Sequence, residues 1–380
     1  DLYRGLHEAD PQDAFLQRCY VNSLNNAATH EQDIGASLAD FREARRLYEE
    51  FLCFHPDDEG LLDGLGNTLN NLGSGCLNCG RYDDSLAYLN QAVEIQEELL
   101  KRDDHRIAFT SDLASTYANL GALYSRLPGK LYEARRSYDR SQDLFGRLAQ
   151  AFPKDPLRQA NYAASLNSVG ILLRDHGDPD EGLKLLLEAQ QVRQKVAGDY
   201  PTVGRYQVDL ALSDSNVGVA FARKGDNEQS LAAHERAQDI LEKLYKQDPK
   251  SAVVRRNLGN EWYNVGAASD ALGRRADEYK SLLQARALQA GLLADDPDNH
   301  DCRCDLGRTM LDLGLVTLRL KGPDEARDVL RAGIASLQQG IERSPQAAGE
   351  LRGLLNGQYV NLSLVERSAG RPDAAVAVTR

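Results

Sequence analysis

Two cysteine pairs are the first places where this sequence could do chemistry. Cys76-x-x-Cys79 has the spacing of a redox dithiol or of half a zinc site, and Cys302-x-Cys304 offers two more thiols. A redox dithiol calls for a βαβ setting, which the flanking residues lack. A structural zinc needs four ligands, and the two pairs lie 223 positions apart (302 − 79). Cys76 falls in a column of the sequence otherwise holding Tyr124, Leu173 and Phe221, so it reads as a small buried hydrophobe. His7, His30, His55, His105, His176, His234 and His300 form no H-E-x-x-H or other metal spacing. Acid pairs such as Glu97-Glu98 and Asp103-Asp104 read as solvated helix surface. The expectation is therefore no catalytic residue, no metal, no cofactor and no enzyme.

A different residue type recurs. Asn71, Asn119, Asn216, Asn264 and Asn361, with Ser168 and Asp312 completing the column, each stand two places before a common marker position. That position holds Gly73, Gly121, Gly170, Gly218, Gly266 and Gly314, at intervals of 48, 49, 48, 48 and 48 residues, and then Ser363. Two further columns keep the same beat: Pro153, Pro201, Pro249, Pro297 and Pro345, and Gly80, Gly129, Gly177, Gly225, Gly273, Gly322 and Gly370. Three phased columns define a repeat array. The units expected are 12–59, 60–107, 108–156, 157–204, 205–252, 253–300, 301–349 and a partial 350–380. The end units are irregular, "LNNAA" at Leu24–Ala28 being an early copy.

One unit, Val208–Asp248, shows what positions the Asn. Apolar residues keep helical spacing up to Lys224, Gly225-Asp226-Asn227 breaks it, and Glu228–Lys246 resumes it. Asp248-Pro249 then ends the unit, because Pro lacks an amide donor and biases its predecessor away from helix. Each unit is thus two antiparallel helices of about 18–20 residues. Small residues at Gly66, Ala114, Ala163, Ala211, Gly259 and Gly307 share a stripe with the marker Gly. A mid-helix Gly costs about 1 kcal/mol against Ala, so its recurrence predicts a partner helix that leaves no room for a side chain.

Composition bounds the rest. The 380 residues are 42% hydrophobic and 27% charged, with a net charge of −12, which fits a foldable chain and argues against a nucleic-acid partner. No apolar run approaches a membrane span, so no membrane partner is expected. Scattered cysteines favour a reducing cytoplasm. One Met, Met310, and a start at Asp1 suggest a piece of a longer protein.

N-L-G, seven further residues to Gly, then "YDDS", "YEA" or "DEA", and a second helix ending near Pro, resembles the tetratricopeptide repeat over essentially the whole chain. Phrasing such as "VDLALSDSNVGVAF" resembles the long-unit arrays beside some bacterial serine/threonine kinase domains, although no kinase motif occurs here. The resemblance implies an all-α, right-handed superhelical solenoid of antiparallel helix pairs, whose first helices line a concave groove. It also implies a protein or peptide ligand, held as an extended or helical segment by the Asn column. An amide donates and accepts, so it can pair with a peptide backbone; it can equally bridge to the adjacent repeat, and both uses stay open. Helical arithmetic adds companions, Asn67 and Asn260, and Arg126, Arg223, Arg308 and Arg319, whose guanidinium groups suit carboxylates or phosphates; Tyr263 flanks the column as a further specificity residue. The lysines of the family's carboxylate clamp are missing four residues before the column, where Asn67, Ser115, Ala164, Leu212, Asn260 and Arg308 stand. An internal peptide segment is therefore the expected ligand. A spacer or self-association arm is the alternative.

Overall fold

A computed structural model describes residues 13–31, 34–343 and 348–378. Pro345 and His7 lie outside these residues. The described residues form helices only: α1 (Ala14–His30), α2 (Ile34–Leu52), α3 (Glu59–Asn78), α4 (Tyr82–Arg102), α5 (Ile107–Arg126), α6 (Leu131–Ala151), α7 (Pro156–His176), α8 (Pro179–Asp199), α9 (Gly204–Arg223), α10 (Asn227–Gln247), α11 (Ala252–Ala271), α12 (Arg275–Asp295), α13 (His300–Leu320), α14 (Pro323–Arg343), α15 (Gly349–Ser368) and α16 (Pro372–Val378). No helix among them is long and apolar enough to cross a membrane. The chain divides into two compact units, Asp1–Val192 and Arg193–Arg380.

Local chemistry sets the helix ends. Asp58, Asp155, Ser251 and Asn299 cap α3, α7, α11 and α13, each accepting backbone N–H bonds from the first turn that no carbonyl reaches. Between the two helices of a pair the turn reverses the chain through a left-handed residue: Gly80, Gly129, Gly225, Gly273, Gly322 and Gly370 have φ from 71° to 109°. Gly177 departs from this column with φ −134°, and there Asp178 takes over by accepting the N–H groups of Asp180 and Glu181. Asp248 ends α10 one residue before Pro249, as the sequence predicts.

The marker glycines sit where the second helix crosses the first. A Cβ built on Gly73, Gly218 or Gly314 would stand 2.5, 2.6 or 2.4 Å from the side chain of Leu89, His234 or Leu330; on Gly121 it would strike the Tyr138 ring at 2.5 Å. The small-residue stripe packs alongside: Ala114, Ala163 and Ala211 are fully buried. The structure therefore shows the predicted lack of room at these crossings, and it fixes how closely each of these antiparallel pairs approaches. In the Asp1–Val192 unit the core between successive pairs is Leu-rich, for example Leu77, Leu89, Leu120 and Leu123. In the Arg193–Arg380 unit Leu282, Leu306, Met310, Leu313 and Val316 play the same part.

Candidate functional site

Within the Arg193–Arg380 unit, three consecutive first helices, α9, α11 and α13, line one cavity of about 290 Å³. Leu212 and Ser215 come from α9, Asn257, Asn260, Glu261, Tyr263 and Asn264 from α11, and Asp305 and Arg308 from α13, with Gln289 from α12. Asn257, Asn260 and Asn264 follow one another at i, i+3 and i+7, so helical geometry stacks three amides on one face. Asn264 is already engaged: its Nδ2 donates to Ser215 Oγ at 3.4 Å and to Glu261 Oε1 at 3.1 Å. Asn257 and Asn260 are half-buried, and no described residue hydrogen-bonds their side chains. Glu261 is 4% exposed, and its other oxygen lies 3.0 Å from His234 Nδ1.

The Asn column itself stitches neighbouring pairs. Asn119 Nδ2 donates to Asn70 Oδ1 at 2.8 Å, and Tyr263 Oη donates to Asp312 Oδ2 at 2.8 Å. Like the bond from Asn264 to Ser215, each joins a column residue to the residue just ahead of the column in the preceding pair. One register thus serves all three bonds. Ser168 instead turns back onto the Ala164 carbonyl. Asn71 and Asn361 are half-buried on α3 and α15 and line neither this cavity nor the one described next; Asn216 is half-buried on α9.

A second cavity, of about 410 Å³, lies between α1 and α3 in the Asp1–Val192 unit and is lined by Asn22, Asn25, Asn26 and Asn67. Asn67 also donates to Asp112 Oδ2 at 3.0 Å. The four arginines separate. Arg308 is held by Asp305 at 2.8 Å and Glu350 at 2.6 Å, and Arg319 by Asp270 at 3.1 Å. Arg126 and Arg223 are exposed at the C-terminal ends of α5 and α9, where the helix macrodipole favours a cation. A ligand carboxylate would thus have to displace an internal acid from Arg308 or Arg319. Asn257, Asp305 and Glu261 escaped the sequence reading. Asn257 was findable, since it lies seven residues before Asn264.

Arg319 also borders a smaller acidic recess, about 140 Å³, formed with Asp270, Glu278 and Asp312. Glu278 occupies a column that is Ser85, Ala134, Gly182 and Ser230 in other pairs, which explains its burial. Burial, then the Asp270 and Asp312 charges, push it up to about 7, against the pull of Arg319. Its stabilising contribution is complete below the unfolded value of 4.5 and is lost as pH rises toward about 7, because the unfolded chain releases the proton first. Glu278→Gln is expected to leave stability near pH 4 unchanged and to raise it at pH 8 by about 2 kcal/mol. Urea midpoints at the two pH values check this; an equal shift at both would sink it.

The cysteines divide by environment, and all six are free. Cys76 packs with Ala28, Leu38, Phe41 and Leu72, the small buried hydrophobe that the sequence predicts. Cys79 caps the exposed end of α3. Cys302 Sγ lies 3.4 Å from the Gln289 carbonyl oxygen. Cys304 lies elsewhere: its Sγ is 3.6 Å from His300 Nε2, and Glu350 stands beside both. A search for His–His and Cys-x-x-Cys spacings passes over His300-x-x-x-Cys304.

A further cavity, about 480 Å³, lies on the second helices α6 and α8 with Tyr162. Its charges are mutually paired, Arg135 with Asp139 and Glu181, and Arg147 with Asp143. That makes it a self-neutralised exterior, and the first-helix face remains the better candidate.

Comparison with known proteins accords with the all-helical repeat fold. Two models of the tetratricopeptide repeat match the sequence, over residues 64–147 and 163–200. No curated protein sequence is significantly similar. Among solved structures, the apo form of the quorum sensor NprR from B. thuringiensis aligns with a TM-score of 0.58 at 16% identity, over 100% of this chain and 90% of that one. BtubC (BKLC) from P. vanneervenii aligns at 0.54 and 17% identity, over 69% and 93%. A Signal Transduction ATPase with Numerous Domains protein with a tetratricopeptide repeat sensor, from Pyrococcus horikoshii, aligns at 0.55 and 12% identity, over 97% and 52%. At such identities the likeness concerns the fold alone.

Proposed function

Because the chain belongs to the tetratricopeptide-repeat family, we propose that it is a protein-interaction module whose first-helix face binds an extended or helical peptide segment. It would serve as the scaffolding or regulatory part of a larger protein, and it works by binding rather than catalysis. The observation that carries this reading is the cavity on α9, α11 and α13, where the Asn257 and Asn260 amides have no hydrogen-bond partner among the described residues. An amide in that condition offers a donor and an acceptor to a passing peptide unit at no internal cost. Asn264 and Tyr263 would hold the helices in register beneath the ligand, and Arg308, already neutralised, would set specificity.

The test compares capture of a partner from source lysate by the wild type and by the Asn257→Ala/Asn260→Ala variant, at equal helicity. Since neither amide bonds internally, the variant is expected to fold normally and to bind the captured partner about 10–30-fold more weakly. Equal affinity would remove the first-helix face from the reading. A self-association arm has one observation of its own: Val360 and Leu364, one turn apart on α15, are 64% and 50% exposed. It requires a mass that rises with concentration and falls to that of the monomer in Val360→Glu.

A further inference from the structure

We propose that His300, Cys304 and Glu350 bind one thiophilic divalent cation, zinc above all, which ties α13 to α15. The inference is independent of the peptide-binding reading. His300 and Cys304 are four residues apart at the start of α13, so the helix sets imidazole and thiol on one face. Glu350 reaches them from the first turn of α15, and the three ligand atoms lie within 4.8 Å of one another.

The distances fit the chemistry. In a tetrahedral zinc centre, Zn–S of about 2.3 Å and Zn–N of about 2.1 Å set sulfur and nitrogen roughly 3.6 Å apart. Cys304 Sγ and His300 Nε2 are 3.6 Å apart. Two of the three donors therefore already stand at the ligand–ligand separation of such a centre, and the exposed Glu350 side chain offers the third within 4.8 Å of both. Glu350 is also oriented from behind: Arg308 donates to its Oε1 at 2.6 Å while holding Asp305 at 2.8 Å. An outer partner of this kind fixes a ligating carboxylate.

Charge and softness narrow the ion. One thiolate and one carboxylate neutralise a divalent cation, and a sulfur–imidazole–carboxylate set suits zinc rather than calcium or magnesium. Cys304 is 2% exposed. Coordination forms the metal–sulfur bond and releases the thiol proton to solvent, one per cation. Cys302 bonds the Gln289 carbonyl instead and takes no part. Three protein donors leave the fourth position for water or an incoming group.

Cobalt(II) is the probe. The full chain, stripped with chelator and kept reduced, is expected to take up one equivalent of Co²⁺. A thiolate-to-cobalt charge-transfer band should develop and be erased by Zn²⁺. The band should vanish in Cys304→Ser, persist in Cys302→Ala and Cys79→Ser, and require about 10-fold more cobalt in Arg308→Met. Far-ultraviolet circular dichroism checks that each variant is folded. Should Cys304→Ser fail to fold, His300→Gln, at a half-buried position, decides the matter by the same loss. Absence of the band in the wild type, or its survival in Cys304→Ser or His300→Gln, overturns the proposal.

Discussion

Replacing His234 with Leu is expected to destabilise the Arg193–Arg380 unit by about 3 kcal/mol, and replacing Glu261 with Thr should cost a similar amount. The double variant should recover most of both losses. His234 and Glu261 are 3% and 4% exposed, and their ring nitrogen and carboxylate oxygen are 3.0 Å apart. Removing either partner strands a buried polar group, whereas removing both returns the contact to the pattern of the other pairs. At the position of His234 those pairs carry Leu89, Tyr138, Leu186 and Leu282; at that of Glu261 they carry Thr68, Thr116, Ser165, Ser213 and Thr309. A Leu at 234 would rest on Gly218 as Leu282 rests on Gly266. The single tryptophan, Trp262, lies next to Glu261, so its fluorescence in a urea titration reports on the affected unit. Additive losses in the double variant would show that the two residues act separately.

The second large effect is steric. Gly182→Ala should destabilise the Asp1–Val192 unit by about 2 kcal/mol, although Ala exceeds Gly in helix propensity by about 1 kcal/mol. A Cβ there would stand 2.7 Å from the Arg174 backbone nitrogen and 2.9 Å from the Gly170 carbonyl oxygen. Backbone cannot step aside as a side-chain tip can, so α7 and α8 must separate and loosen the Leu166–Ala189 contact beneath them. Gly198, on the same α8, has nothing within 4 Å of a built Cβ, so Gly198→Ala should be neutral or slightly stabilising. Thermal unfolding followed by circular dichroism separates the two; a gain in both variants would refute the close-approach account.

Both predictions concern residues that break a column, and such residues mark the limit of what a repeat sequence displays. Gly73, Gly121 and Gly218 announce a close helix crossing because only a missing side chain explains their recurrence, and Leu89, Tyr138 and His234 fill the space they leave. The turn glycines announce a left-handed residue in the same way, and six of the seven adopt it. Gly177 keeps the column but not the conformation, since Asp178 offers another means of starting α8.

The candidate site was only half legible. Asn264 stands in the recurring column, Tyr263 directly precedes it, helical arithmetic adds Asn260 and Arg308, and all four meet in one cavity. The same arithmetic does not tell a ligand-facing amide from a stitching one. Asn119 and Asn264 recur in the column, yet both bond the preceding pair, while Asn260 and Asn257, the latter outside the column's companions, are bonded by no described residue. Sequence presents Arg308 and Arg319 as available cations, but Glu350 and Asp270 from neighbouring helices hold them.

By itself, then, the sequence determined the all-α class, the alternation of first and second helices, and the places where two helices nearly touch. All of these are set by residues within one turn or one repeat of each other, so periodicity displays them. Only the tertiary structure decided which polar group meets which: His234 with Glu261, Tyr263 with Asp312, and Cys304 with His300 and Glu350. Those pairings join residues as many as 49 positions apart, across helices whose relative rotation comes from packing, and a shift of one residue in register would exchange every partner.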